Sequence, residues 1–95
     1  MDKQKADELI FSYVRKIFGF AMSKLSKIDE AEELAAEITF QVYSSILKQD
    51  KIENPDGYIF RIAQNVFSKL FAEKFFAPIL EKITEISDWL HVPEN

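Results

Sequence analysis

Apolar residues recur at intervals of three and four along most of the chain, which is the spacing of amphipathic helices. The first apolar stripe consists of Leu9, Tyr13, Ile17 and Ala21. With the stripes that follow, it predicts helices over residues 4–25, 29–49 and 55–75, and a fourth from residue 78. No stretch sustains the period of two that a strand requires. The pattern therefore predicts an all-α fold, a compact three-helix bundle with a fourth C-terminal helix that caps it or forms a linker.

Signals for helix ends support these boundaries. Asp29 is a favourable N-cap, and Glu32 three positions later resembles the second member of a capping box. Asn54-Pro55 has an N-cap residue followed by a proline suited to the first helical position. Ala77-Pro78 predicts a break before the fourth helix, because proline disrupts a helix that precedes it. We expect one helical domain at residues 1–77 and a C-terminal helix or linker at residues 78–95.

Composition excludes several classes of protein. A chain of 95 residues suits one domain, and the absence of cysteine excludes a disulfide framework or a thiolate metal site. The two glycines are isolated from each other, so no glycine-rich phosphate loop is present. No stretch approaches the roughly 18–20 apolar residues of a membrane span, and no apolar signal core follows the N-terminus. We therefore expect a cytoplasmic protein that is not an enzyme and uses no cofactor or metal.

Charge is distributed unevenly along the chain. The net charge is −4, which differs from the basic excess usual in proteins that bind nucleic acid alone. Residues 1–28 carry +3, residues 29–57 carry −6 and residues 58–95 carry −1. The concentration of acid in the middle segment indicates a basic partner surface there.

The polar face of the second predicted helix is acidic at its start. With the apolar stripe turned inward, the outward residues are Glu30, Glu33, Glu37, Gln41, Ser44 and Lys48. Two interpretations stay open: a solvated face that balances the helix dipole, or a docking strip for a helix rich in arginine and lysine. Metal binding or acid–base chemistry is disfavoured, since all three carboxylates come from one helix face with no convergent second element.

The third predicted helix combines polar and aromatic residues. Its outward positions are Gly57, Arg61, Gln64, Asn65, Ser68 and Lys69, and Tyr58 and Phe60 stand at its start. Arginine, glutamine and asparagine read base edges or clamp phosphates, and aromatic rings stack on unpaired bases. The alternative is an ordinary polar face with aromatic residues in the core. The phenylalanine-rich residues 71–76 carry more apolar surface than one stripe buries, so we expect them to pack on the fourth helix or to form an interaction patch.

Two of these segments together resemble a known family. Residues 30–37, EAEELAAE, are similar to the acidic D-A-E-D-L-x-Q-E run of bacterial RNA polymerase sigma factors, most closely the extracytoplasmic-function group. About twenty residues later, YIFRIAQN at residues 58–65 resembles that family's W-L-Y-R-I-A-R-N run. The order and spacing of the two runs match, and the resemblance covers roughly residues 5–75.

The resemblance implies a role in transcription initiation. In the family the acidic run docks on the clamp helices of the polymerase β′ subunit, and the second run recognises and melts the −10 promoter element. The residues expected to bind polymerase are Glu30, Glu33, Leu34, Glu37 and Gln41. The residues expected to bind DNA, mainly single-stranded, are Tyr58, Arg61, Gln64, Asn65, Ser68 and Lys69. The implied partners are the RNA polymerase core, promoter DNA and an anti-sigma protein.

Several positions depart from the family pattern. Ala36 replaces a usual glutamine, Gln64 replaces an arginine and Tyr58 replaces a tryptophan. The basic tail common after the third helix is also missing. These departures keep an alternative open, a helical protein-interaction module of the same fold without a DNA role. A whole factor of this group carries a second domain, region 4, so residues 78–95 are expected to start the interdomain linker. An isolated region 2 and a short natural derivative stay open alternatives.

Overall fold

A computed structural model describes the backbone of residues 1–90 and the side chains of residues 1–74 and 77–84. Within this part of the chain all regular structure is helical, which confirms the all-α prediction. The elements are α1 (Lys3–Lys24), α2 (Ile28–Leu47), α3 (Pro55–Phe71), a π-helical turn (Ala72–Phe76) and α4 (Ala77–Leu90). Helix α2 packs against both α1 and α3, so it is the central element of the three-helix bundle.

One face of α2 forms most of the core. Leu34, Ile38, Val42 and Ile46 have no solvent-exposed surface. Their spacing of four residues places them on one side of the helix. Fully buried alanines, Ala6 and Ala21 on α1 and Ala31 on α2, complete the buried set where the first two helices pack. Small side chains let neighbouring helix backbones approach closely, which explains why alanine stands at these positions.

Polar contacts join α1 to α2. The Tyr43 hydroxyl of α2 donates a hydrogen bond to the Asp7 carboxylate of α1, and Lys3 Nζ lies 2.9 Å from the same carboxylate. The N-terminal amino group of Met1 donates to the carbonyl of Gln49, beyond the end of α2. Because the start of α1 meets the end of α2 in both contacts, the two helices are antiparallel in a fixed register.

Aromatic side chains join α1 to α3. The Phe20 ring of α1 contacts Phe60 edge-on, with ring centroids 5.8 Å apart, and Phe67 edge-on at 6.5 Å. Edge-to-face pairs at these separations are favourable because the positive ring edge meets the negative ring face. At the N-terminal end of α3, the Tyr13 hydroxyl of α1 donates to the Asp56 carboxylate. Helix α3 is therefore held against α1 at both its start and its middle.

The predicted helix starts agree with the structure at α3 and differ at α2. Asn54 is the N-cap of α3, and its side-chain oxygen accepts from the Gly57 N–H at 3.2 Å. The prediction that Asp29 caps α2 is wrong, because the helix begins at Ile28 with Lys27 as N-cap and no side-chain capping bond. The earlier start adds a backbone bond from Ala31 N–H to the Lys27 carbonyl at 2.9 Å. It also leaves Asp29 in the first turn, where the helix dipole favours negative charge.

The predicted break at Ala77-Pro78 is also wrong, because helical backbone continues from α3 into α4. Phe71, Ala72 and Ala77 all have right-handed helical dihedral angles. The Ala77 N–H donates to the Ala72 carbonyl, five residues back, which defines the wider π turn. Pro78 has no N–H, and its ring crowds the carbonyl four residues earlier in a regular helix. The widened turn before it accommodates both defects, so the helix is modified instead of interrupted.

Helix α4 does not cap the bundle. Its described apolar side chains Ile79, Leu80 and Ile83 are about half exposed, at 53%, 46% and 54%. Its main neighbour in the described part of the chain is the π turn that precedes it. Of the two alternatives for the fourth helix, the structure therefore has an extension away from the bundle. The predicted packing of Phe75 and Phe76 on the fourth helix concerns side chains outside the described residues.

Burial along α2 predicts a large loss of stability for one truncation and almost none for a second nearby. Ile38→Ala should lower the free energy of unfolding by about 2–5 kcal/mol, because it leaves a cavity in a fully buried site. Phe40→Ala, on the outer face of the same helix and 65% exposed, should change it by no more than about 0.5 kcal/mol. Urea unfolding followed by circular dichroism measures both. Equal destabilisation by the two variants would contradict the assignment of the core face.

Candidate functional site

The outward face of α2 presents carboxylates to solvent. The side chains of Glu33 and Glu37 are exposed, and Glu30 is half-buried at the start of the helix. Gln41 is exposed one turn after Glu37, and its amide donates to the Glu37 carboxylate at 3.2 Å. Four of the five residues predicted to bind polymerase therefore have surface that a partner can reach.

Leu34, the fifth of these residues, is different. Its side chain is completely buried in the core between the helices. A residue with no accessible surface cannot touch a docked partner, so the expectation of a contact at Leu34 is corrected. Its role is structural, because its burial turns the neighbouring Glu33 outward.

Sequence reasoning missed an aromatic residue on the acidic face. Phe40 lies seven residues after Glu33 and three after Glu37, which places it on the same side of α2. Its side chain is 65% exposed, although phenylalanine is usually buried. Its spacing from the two glutamates is the signal in the sequence that identifies it. The acidic face therefore includes a large apolar contact point.

The predicted DNA-binding residues divide into two groups. Arg61, Asn65, Ser68 and Lys69 are exposed along the outer side of α3. Tyr58 and Gln64 are half-buried, and Tyr58 packs against the hydrophobic core at the start of the helix. The exposed group offers hydrogen-bond donors and positive charge to a partner. The half-buried pair offers only part of each side chain.

A groove between α2 and α3 brings the two predicted sets together. It has a volume of about 550 Å³ and is lined on one side by Glu33, Glu37 and Gln41. Asn65 and Lys69 line the other side, and the half-buried apolar residues Ile62, Val66 and Leu70 complete the lining. From the π turn, Lys74 reaches across and forms an ion pair with Glu33. Three of the residues predicted to bind polymerase and two of those predicted to bind DNA therefore line one concave surface.

A second cleft lies between α1 and the start of α3. Its volume is about 390 Å³, and its apolar walls are formed by Ile17, Phe20, Ile59, Phe60 and Ala63. The Phe60 ring is 54% exposed, and Lys16 stands at the rim beside Asp56. Lys24 Nζ lies 5.4 Å from the Phe20 ring centroid and 5.6 Å from that of Phe67, a cation–π arrangement. Sequence reasoning placed Phe60 near the DNA face but did not identify its contacts with α1.

Comparison with protein families identifies the family to which the chain belongs. The family model for sigma-70 region 2 matches residues 9–74, which include both α2 and α3 with the groove between them. The chain belongs to the sigma-70 region 2 family. Searches of curated proteins and of solved structures found no significant match.

Membership of the sigma-70 region 2 family supports a role as a sigma factor in transcription initiation, in association with RNA polymerase core and promoter DNA. The matched segment ends at Lys74, the residue that pairs with Glu33.

Among the described residues, no cluster of acidic or histidine side chains is arranged to hold a metal ion. None of the described helices is both long and apolar enough to cross a membrane.

In this sigma region 2 chain, pKa values are shifted where α1 meets the start of α3. The hydrogen bond from the Tyr13 hydroxyl, with help from the Lys16 ammonium, lowers the pKa of the Asp56 carboxyl below its ordinary value. The same hydrogen bond raises the pKa of Tyr13. Lys16 Nζ lies 3.6 Å from the Asp56 carboxylate. The Asp56 carboxylate thus stays ionised as an anchor for α1, and it limits the free positive charge at the rim of the second cleft.

Proposed function

We propose that this chain docks on the β′ clamp helices of RNA polymerase through the outer face of α2. The observation that carries the proposal is the exposed set Glu33, Glu37, Phe40 and Gln41 on one side of a helix whose other side is fully buried. Carboxylates steer a basic partner and fix its register, while one exposed aromatic residue supplies desolvated contact area. A partner helix that carries both basic and apolar residues on one side would complement this combination.

We further propose that the exposed side of α3 contacts the −10 element of the promoter. Arg61 and Lys69 supply positive charge, and Asn65 supplies an amide that can pair with a base edge. Melting would proceed by capture: bases that transiently unstack are held by polar and aromatic groups, which favours the open duplex. The Phe60 ring is the exposed aromatic nearest to Arg61 in the chain.

The net charge of −4 limits what the chain does alone. Affinity for DNA depends strongly on the number of phosphates neutralised, and α3 offers few cations for this purpose. We therefore propose that the polymerase supplies most of the affinity and this chain supplies the recognition. Duplex DNA should bind weakly to the free protein.

Finer features of the assignment are also proposals. The motifs at residues 30–37 and 58–65 favour the extracytoplasmic-function group, and a polymerase partner implies a cytoplasmic, non-enzymatic protein. We propose residues 1–77 as the region 2 domain and 78–95 as the start of a linker. We propose an anti-sigma protein as a further partner.

A second function is favoured by one observation on α1. Phe11 is 81% exposed, and Val14, Phe18 and Met22 on the same side of the helix are 38–45% exposed. Several large exposed apolar residues on one side of a helix indicate a contact with another protein. The second candidate is therefore a helical interaction module that retains the region 2 fold without a DNA role.

Charge reversal on α2 tests the polymerase assignment. Glu33→Lys and Glu37→Lys should each weaken binding to a fragment containing the β′ clamp helices by about tenfold or more, because like charges then meet across the interface. Glu32→Lys is the matched control, since Glu32 is exposed on the same helix but lies outside the proposed face. Calorimetry at moderate salt measures all three. An equal loss of affinity in Glu32→Lys, or no loss of affinity in Glu33→Lys and Glu37→Lys, would contradict the assignment.

Salt dependence tests the DNA role of α3. Lys69→Gln should reduce the slope of log K against log salt by about 0.7 if Lys69 neutralises one phosphate of a single strand. The measurement uses a labelled AT-rich single-stranded oligonucleotide and the complex of this chain with polymerase core. Lys51→Gln, an exposed lysine in the loop before α3, should leave the slope unchanged. An unchanged slope for Lys69→Gln would remove that residue from the DNA interface.

A further inference from the structure

The ion pair between Lys74 and Glu33 occupies the acidic wall of the groove. Lys74 belongs to the π turn, 41 residues after Glu33, so the contact joins two elements that are distant in the chain. Within the described part of the chain, this ion pair joins the C-terminal end of the α3 helix to α2. Glu33 is also a carboxylate that the proposed function assigns to the polymerase. One cation of the chain itself therefore already satisfies the group that a basic partner would need.

We propose that the groove between α2 and α3 binds an amphipathic basic helix of the partner, and that Lys74 competes with a cation of that helix for Glu33. The proposal rests on the proposed function, because it names how the same acidic face engages its partner. It adds that the partner helix reaches inside the groove, and that docking requires Lys74 to leave Glu33.

The lining of the groove defines the chemistry of the partner. Glu33 and Glu37 stand on the α2 wall, and Ile62, Val66 and Leu70 on the α3 side are half-buried with apolar surface towards the groove. A helix that fits both would carry an arginine or lysine towards α2 and apolar residues three or four positions away towards α3.

Competition is physically reasonable because the ion pair is exposed. The side chains of Lys74 and Glu33 retain 44% and 54% of their accessible surface. Exposed pairs contribute little net stability, so a partner cation in a desolvated interface can replace Lys74. The fold does not depend on the pair, because neither residue belongs to the buried core. Release of Lys74 therefore leaves the three-helix bundle intact.

Lys74 lies on the π turn. Single π turns within α-helices recur at functional sites. Pro78, two residues after the turn, removes one more backbone donor from this stretch. The backbone that carries Lys74 thus departs from regular α-helical geometry.

Neutralising Lys74 provides the test, with the full chain and a fragment containing the β′ clamp helices as probe. Lys74→Met should tighten binding about two- to fivefold, because Glu33 is then free for the partner. Lys51→Met, with the same change in net charge, is the control for general electrostatics. The same pair of variants is repeated in a Glu33→Gln background, where Lys74 has nothing to compete for.

The outcomes separate the inference from the function on which it rests. Tightening by Lys74→Met that disappears in the Glu33→Gln background supports competition. Equal tightening in both backgrounds, or tightening matched by Lys51→Met, would show a general charge effect and overturn it. Binding by wild type that Lys74→Met leaves unchanged would overturn competition while the proposed function stands. If neither wild type nor Lys74→Met binds the fragment, the proposed function and the partner named for the groove are both wrong.

Discussion

The complete burial of one side of α2 is the constraint on which the rest of the structure depends. Leu34, Ile38 and Val42 are removed from water by α1 and α3, which pack on either side of them. The apolar surface they bury is the main favourable term in the stability of a bundle of this size. Because the helix is held by this side, Glu33 and Glu37 must face outward. The acidic face is therefore a direct consequence of the core.

Much of this arrangement could be predicted from residue spacing alone. Apolar residues at steps of three and four identified the three helices of the bundle to within a few residues, and Asn54-Pro55 located the start of α3. The outward direction of Glu33 and Glu37 followed from the same pattern, whereas their partner remains a proposal. The prediction that Asp29 caps α2 is wrong because the helix gains a further backbone hydrogen bond by starting at Ile28. Local capping preferences do not include this effect.

The features that sequence could not provide depend on which faces of different helices meet. The groove exists because the outer side of α2 and one side of α3 converge, so that residues expected on two separate surfaces line one. The Lys74–Glu33 pair joins residues 41 positions apart and depends on how the end of the α3 helix lies against α2. Periodicity describes each helix separately and contains no information on such pairings.

The most direct test of the account is to map the surface that the clamp helices occupy. Nuclear magnetic resonance spectra of the ¹⁵N-labelled chain, titrated with an unlabelled fragment containing the β′ clamp helices, report each backbone amide separately. We expect saturable shifts centred on Glu33, Glu37 and Phe40, extending into the groove as far as Lys74. Shifts centred instead on Phe11 and the outer side of α1, or none at all, would contradict the claim that the acidic face of α2 is the polymerase-binding surface.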